Sequence, residues 1–503
     1  MKIQNPIIRG FYPDPSICKA EGKYYIACSS FQYFPGVPVF ESEDLVNWKQ
    51  IGHCLTRNNQ VELHQVPSSG GVFAPTLRYH DGTFYMVTNN NTYNKNFYIF
   101  TKDICGEWSD PIFVDQEGID PSLLFDNGKV YFTSNGTGAD GNPCILQCEI
   151  NVETGEKLTE SIPVWGGNGG RYLESPHLYH IGDWYYLMAA EGGTEYGHMI
   201  TYARSREPFG PFESFAGNPV LTNRNLGGNQ SIIQGIGHGD LIEDEKGNYF
   251  IVCLGFRQIG EWQPYHHLGR EVYMAPVYWQ EDGWFTAGKK GIVTEWLDAD
   301  IAADSRKEGL YDISPEDMNP ENPRWCYLRD YHRGNYRFEN GVLKLKGTEI
   351  TLDEADTPTF MGIRQSEFDT QLRVTIGGNA GEAGITFYMD EDQHYDLAVI
   401  RSGGVSKAVL RVTVGDVHEI LKEIKLPEDS SEIRLEADSD SLKYYFYLRD
   451  GEERIFLGSA RTKYLSSEVA GGFTGVVMGL YAVDEQGNQA EFKDLSWKQG
   501  KIR

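Results

Sequence analysis

Asp120-Pro-Ser-Leu-Leu-Phe-Asp-Asn-Gly128-Lys-Val-Tyr-Phe132 is one copy of a layout that recurs five times in the first 300 residues. A short apolar run ends at Asn127-Gly128, residue types that tolerate positive φ, and a β-branched and aromatic run returns. This is the signature of a hairpin. The other copies are Asp14-Pro-Ser-Ile with Gly22-Lys-Tyr-Tyr-Ile, Ala74-Pro-Thr-Leu with Gly82-Thr-Phe-Tyr-Met, Glu174-Ser-Pro-His with Gly182-Asp-Trp-Tyr-Tyr, and Gly239-Asp-Leu-Ile with Gly247-Asn-Tyr-Phe-Ile. In each, a Gly follows the opening position by eight residues, and the starts are 60, 46, 54 and 65 residues apart. Repeats of this length, with room for about four strands each, predict a five-bladed β-propeller ending near residue 311.

The pattern changes beyond that point. Residues 312–325 hold three Pro among Asn and Asp and read as a linker. From 326 to 503, runs such as Phe368–Ile376, Ala383–Tyr388 and Ser441–Leu448 alternate at period two between turn residues. They predict an antiparallel β-sandwich, so the fold class is all-β in two domains.

Composition narrows the partners. A formal net charge of −27 over 503 residues repels phosphate backbones and anionic membrane surfaces, which argues against nucleic acid and lipid. No run approaches the ~18 apolar residues of a membrane span, and the first residues lack the apolar stretch of a signal peptide. Eight dispersed Cys, with only Cys144 and Cys148 close together, read as reduced thiols and a cytoplasmic location.

The first strand of each propeller blade lines the central channel, so the opening positions converge. They are Asp14, Ala74, Asp120, Glu174 and Gly239, the last beside His238. Carboxylic acids at short range cannot all ionise, and their pKa values are driven apart. One acid and one base made from the same functional group are what glycoside hydrolysis requires. A single Asp-Pro-Ser is usually an Asx-turn, but its recurrence at one repeat position points to function. No GxSxG elbow, phosphate-binding loop or HExxH zinc motif accompanies it. The run Gly166-Gly-Asn-Gly-Gly170 reads as a flexible loop leading to Glu174.

Asn5-Pro-Ile-Ile-Arg-Gly-Phe-Tyr-Pro-Asp-Pro-Ser16, Gly118-Ile-Asp-Pro-Ser122 and Tyr172-Leu-Glu-Ser-Pro-His177 strongly resemble glycoside hydrolase family 43 over essentially the whole chain. The nearest members in pattern are β-xylosidases and α-L-arabinofuranosidases with a C-terminal β-sandwich, and the resemblance implies a concanavalin-like form for it. The resemblance implies an inverting, exo-acting hydrolase that needs no cofactor for its chemistry. Its substrates would be short xylo- or arabinoxylo-oligosaccharides, with release of xylose, arabinose or both. A predominantly α-L-arabinofuranosidase activity is one alternative, and a non-catalytic carbohydrate-binding protein is another. Carried over by motif, Asp14 is the general base, Glu174 the general acid, and Asp120 the group that orients Glu174 and raises its pKa. Arg270, in Gly269-Arg-Glu271, matches the Arg that binds sugar hydroxyls. Phe31 and Phe73 match aromatic walls of the sugar site, with Phe73 where many relatives carry Trp. His238 matches a His on the propeller axis that in the family often helps hold a hydrated calcium ion; a His merely hydrogen-bonded beneath the pocket is the competing reading. Trp262, Trp279 and Trp284 read as blade core. Family relatives also suggest a homo-oligomer.

Overall fold

The computed structural model describes residues 2–226, 231–260, 262–301, 311–427 and 430–500. Five four-stranded antiparallel sheets, each a simple meander, make up the first domain. Blade I holds Ser16–Ala20, Lys23–Ala27, Gly36–Ser42 and Lys49–Leu55, and blade II holds Thr76–His80, Thr83–Asn90, Lys95–Thr101 and Ile112–Val114. Blade III comprises Ser122–Asp126, Lys129–Thr137, Pro143–Glu149 and Ile162–Trp165. Blade IV comprises Glu174–Ile181, Trp184–Glu191, Met199–Ser205 and Glu213–Ser214. Blade V comprises Ile233–Glu243, Tyr249–Arg257, Glu271–Trp279 and Phe285–Ala287. The first strand of each blade neighbours that of the next, and blade V returns to blade I, which closes the ring.

The hairpin chemistry operates as the repeat predicts in blades I to III. Glu21-Gly22, Asp81-Gly82 and Asn127-Gly128 all have positive φ at both positions, the geometry whose twist matches the flanking strands. The ring is tied shut by the N-terminal segment. Lys2–Gln4 pairs with Trp296–Asp298, and the Asn5 side chain exchanges hydrogen bonds with the Met274 backbone at 3.0 Å each way.

A seven-stranded and a six-stranded antiparallel sheet form the second domain. In Lys443–Asp450 the alternation places Tyr444, Phe446 and Leu448 inside, where they meet a core that includes Phe387, Leu397 and Trp497. The Pro-rich stretch 312–325 is not a loose tether. It carries a short 3-10 turn, Pro315–Met318, and buries Ile313, Met318 and Trp325 in the sandwich core. Its apolar residues are spaced too irregularly to have signalled that burial.

The domains are bonded to one another. Tyr33–Phe34 pairs with Tyr327–Leu328, so a propeller loop and the entry to the sandwich share a two-stranded sheet. Arg329 is buried, donates to the Val66 carbonyl at 2.6 Å and pairs with Glu391. Arg257 bridges Glu271 of blade V and Glu367 of the sandwich. Phe11, Phe31 and Tyr33 share one apolar cluster with Phe360, Tyr388 and Tyr481 across the junction.

One expectation about the aromatics is corrected here. Trp279 and Trp284 pack against the core of blades IV and V, but Trp262 is 98% exposed and belongs to no core. It lies in the loop after Tyr249–Arg257, outside the strand alternation that would have buried it.

Candidate active site

Asp14 and Asp120 stand immediately before the innermost strands of blades I and III, two residues ahead of Ser16 and Ser122, and both adopt left-handed backbone, with φ of 54° and 53°. His238 in blade V has the same conformation (φ 48°), two residues before Asp240. Asp and His accept this conformation more readily than branched residues, and such strain gathers at functional sites. The axial position of blade V is therefore His238, not Gly239. Blade IV departs by one residue. Its turn falls at Gly182-Asp183, because Ile181 pairs with Trp184, one place later than in blades I and III. The true match to Asp14 and Asp120 is Ser175 (φ 57°), and Glu174 precedes it. A register break between Glu174 and His177 takes up the extra residue and re-aims the Glu174 side chain into the pocket. The Ser175 backbone N–H in turn donates to Asp120 Oδ2 at 3.0 Å.

Asp14, Asp120 and Glu174 line one cavity of about 500 Å³ together with Phe31, Phe73, His238 and Arg270. The structure thus brings every site residue read from the sequence into one place. Their environments differ. Asp14 is buried, which raises its pKa, but Arg270, His238 and the Ser29 hydroxyl outweigh burial and hold it below the ordinary carboxylate value. Arg270 Nη1 lies 2.8 Å from Asp14 Oδ1, and Ser29 Oγ donates to Oδ2 at 2.5 Å. For Glu174 the balance is reversed: burial, then the charges of Asp120 and Asp14, outweigh Arg270 and push its carboxyl well above the usual range. Asp120 is also raised, by burial and by Asp14, against the pull of His238. Within one pocket, then, Asp14 is driven toward the ionised carboxylate and Glu174 toward the protonated acid.

Sequence reasoning missed the residues that complete the site from afar. Phe473, in a sandwich loop, sits 6.0 Å from Phe31 and 6.1 Å from Phe73, ring centre to ring centre. Its carbonyl accepts from Arg270 Nη2 at 3.2 Å, and Thr194 Oγ1 accepts from Arg270 Nη1 at 2.8 Å. The loop reaches the propeller because Gly475 meets Gly269 backbone to backbone; a Cβ on Gly475 would lie 2.6 Å from the Gly269 nitrogen. Glu468, from the same part of the sandwich, accepts from Tyr196 and from the His266 side chain, both at 2.8 Å. The loop 166–170 is an ordered feature. The buried Glu191 carboxylate accepts from the Asn168 and Gly170 backbone N–H groups at 2.7 and 2.5 Å and from Thr201 at 2.7 Å.

Beneath the carboxylates the axis is filled by a protein cation. Arg78 of blade II donates to both oxygens of Asp240 of blade V (2.8 and 3.2 Å) and to His177 Nδ1 of blade IV (2.9 Å). Ser16 of blade I and Tyr179 of blade IV add hydrogen bonds of 2.6 Å each to Asp240. Burial raises the Asp240 pKa, but Arg78, His177 and the Ser16 hydroxyl outweigh it and hold the carboxylate ionised, well below its ordinary value. The water-held calcium expected near His238 finds no support in this donor set. Among the described residues no group of three or more His, Cys, Asp or Glu is arranged to hold a metal, and Asp240 is already committed to Arg78. His238 Nδ1 instead faces Asp14 and Asp120 at 3.8 and 4.0 Å. Exhaustive dialysis against a chelator is therefore expected to leave activity and Tm unchanged. Arg78→Met should lower stability by about 3–5 kcal/mol, since it strands a buried carboxylate; urea unfolding of the two proteins checks this.

Comparison with known proteins agrees with the geometry. Residues 3–285 match the family model described as Glycosyl hydrolases family 43, and residues 317–498 match Beta xylosidase C-terminal Concanavalin A-like domain. A non-reducing end alpha-L-arabinofuranosidase of Bacteroides ovatus is 38% identical over 98% of this chain and 94% of its own length. A beta-xylosidase of Bacillus subtilis is 30% identical over 99% of this chain and all of its own. Among solved structures, a xylan beta-1,4-xylosidase from Bacillus halodurans superposes with a TM-score of 0.90 at 29% identity, covering 99% of this chain and 100% of that one.

Proposed function

Because this chain belongs to glycosyl hydrolase family 43, we propose that it is an exo-acting, inverting glycoside hydrolase that removes single pentoses from the ends of short oligosaccharides. The observation that carries the reading is that Asp14 and Glu174 line one pocket in surroundings that push their pKa values in opposite directions. Asp14 takes a proton from a water as its oxygen bonds to the anomeric carbon. The glycosidic C–O bond breaks, and the leaving oxygen takes its proton from Glu174. Asp120 keeps the acid protonated by its charge and holds the strand that carries it through the Ser175 N–H. Arg270 orients Asp14 and offers N–H groups to sugar hydroxyls, while Phe31, Phe73 and Phe473 give the ring an apolar wall.

Closure by the sandwich loop supports exo action, since an interior stretch of a polysaccharide would need an open groove. Xylose from β-1,4-xylo-oligosaccharides, arabinose from α-L-arabinofuranosides, or both are the products of this reading; the named activities of the relatives cover both pentoses. A sugar-binding protein would have no use for an acid and a base held in opposite protonation states. The eight free thiols, seven of them buried, support a reducing, cytoplasmic setting.

The test is a panel of nitrophenyl pentosides, followed by proton NMR of the first-formed sugar. The expected result is hydrolysis of the β-D-xyloside, the α-L-arabinofuranoside or both, with the opposite anomer appearing first. Retention of configuration, or inertness toward both pentosides, would overturn the reading.

A further inference from the structure

His198 has no role in the chemistry described so far, and its surroundings are unusual. It lies on the blade IV loop just before Met199–Ser205 and is fully buried. Its Nδ1 is 3.3 Å from the Gly235 carbonyl, which can only accept, so Nδ1 carries the ring proton. Burial, followed by the positive charges near His238 and Arg270, lowers its pKa to about 3, and the ring is neutral. Nε2 is therefore a bare lone pair. That atom is buried without a hydrogen-bond partner, and 3.7 Å away stands Oε1 of Glu174. The ring lies flat on Gly237, where an added Cβ would come within 2.3 Å of three ring atoms.

We infer that His198 is a positioning residue for the acid: its neutral Nε2 accepts the carboxylic proton of Glu174, which fixes the plane of that carboxyl and favours its protonated form until a leaving oxygen arrives. A shift of under an ångström brings the pair within hydrogen-bond range, and contacts of this kind tighten when substrate binds. An acceptor lone pair stabilises a carboxylic acid and repels a carboxylate, so the contact raises the pKa of the acid. The other groups facing Glu174 are Asp120, Asp14 and Arg270. Those facing His198 are His238, Arg270, Asp14 and the Gly235 carbonyl. Of the groups that face Glu174 itself, Asp120 and Asp14 are carboxyls and Arg270 can only donate, so the bare Nε2 of His198 is the neutral acceptor at the acid. The inference rests on Glu174 being the acid, as proposed above.

The experiment measures the pH dependence of kcat/KM for the full chain, its His198→Leu, His198→Gln and Gly237→Ala variants, and Glu174→Gln as the control for the underlying reading. A bell-shaped profile for the parent and a dead Glu174→Gln confirm the acid. Activity surviving in Glu174→Gln on xylosides with poor leaving groups would instead sink the assignment of Glu174 itself. Given a confirmed acid, His198→Leu should move the alkaline limb to lower pH by about 0.5–1 unit, the discrimination of one hydrogen bond. Xylosides with poor leaving groups should lose more rate than nitrophenyl xyloside, because they depend on protonation. Gln, whose carbonyl can accept, should restore much of the limb, and Gly237→Ala, which displaces the ring, should mimic Leu. An unmoved limb in His198→Leu refutes the inference, and a limb moved to higher pH would mean that the imidazole is charged. Should the His198 variants fail to fold, 15N NMR of the histidine-labelled parent decides. A protonated Nδ1 with a bare Nε2 supports the inference, and the opposite tautomer overturns it.

Discussion

Asp14→Asn is expected to lower kcat by roughly 10²–10⁴-fold, the range that general-base catalysis contributes, while the protein stays folded. Asparagine is the informative replacement. Asp14 has a φ of 54°, which asparagine tolerates and alanine does not, so Asp14→Ala mixes lost chemistry with backbone strain. The acid limb of the pH–rate profile should vanish with the carboxylate, and the alkaline limb, which belongs to Glu174, should remain. Stability carries its own sign. The folded-state pKa of Asp14 is held below its unfolded value by Arg270, His238 and Ser29 despite burial. Its stabilising contribution is therefore fully present above the ordinary carboxylate pKa and is lost as pH falls through the lower, folded-state value. The parent should be more stable than Asp14→Asn at neutral pH, and the gap should close in acid. Urea titrations at several pH values check this, and stopped assays on nitrophenyl pentosides check the rate. Near-parental kcat in the variant would remove Asp14 from the chemistry.

The second large effect comes from deleting the sandwich. A chain ended at residue 312 keeps Asp14, Asp120, Glu174 and Arg270 but loses Phe473, both as an aromatic wall and as the carbonyl partner of Arg270. It also uncovers Phe11, Phe31 and Tyr33, which are now buried against Phe360, Tyr388 and Tyr481. An apolar aromatic patch of that kind drives aggregation. The truncated propeller is expected to be poorly soluble. Any soluble fraction should lose about 10²-fold or more in kcat/KM, the effect of misplacing groups by an ångström. Gel filtration and the same pentoside assay measure both. A soluble truncated chain with full activity would mean that the pocket is complete within the propeller.

What the sequence made legible followed from local chemistry repeated in space. Asn127-Gly128 and its counterparts marked the hairpins because positive φ is a property of two adjacent residues. The recurrence of those hairpins implied the ring, and the ring implied that Asp14, Asp120 and Glu174 converge. Counting from Gly182 placed Glu174 one residue off the true equivalent, Ser175, because a turn shifted by one place leaves no mark on a Gly-based ruler. Arg78 looked like any strand arginine, and only convergence of four blades shows that it is the cation of the axis. His198 is a lone histidine until Gly237 is seen beneath its ring, 39 positions along the chain. Phe473 and Thr194 owe their roles to Arg270, and neither lies in a repeated motif.

The hydrogen bond from Arg270 to the Phe473 carbonyl joins residues 203 positions apart. During synthesis the propeller emerges first, and N-terminal domains begin to fold while the rest of the chain is still being made. At about 5–20 residues per second, something like ten to forty seconds separate the appearance of Arg270 from that of Phe473. Through that interval a nascent chain holds its acid and its base but lacks the wall that would seat a sugar between them. Catalytic competence should thus arrive only as translation ends, and ribosomes stalled between these two codons should carry propellers that hydrolyse almost nothing.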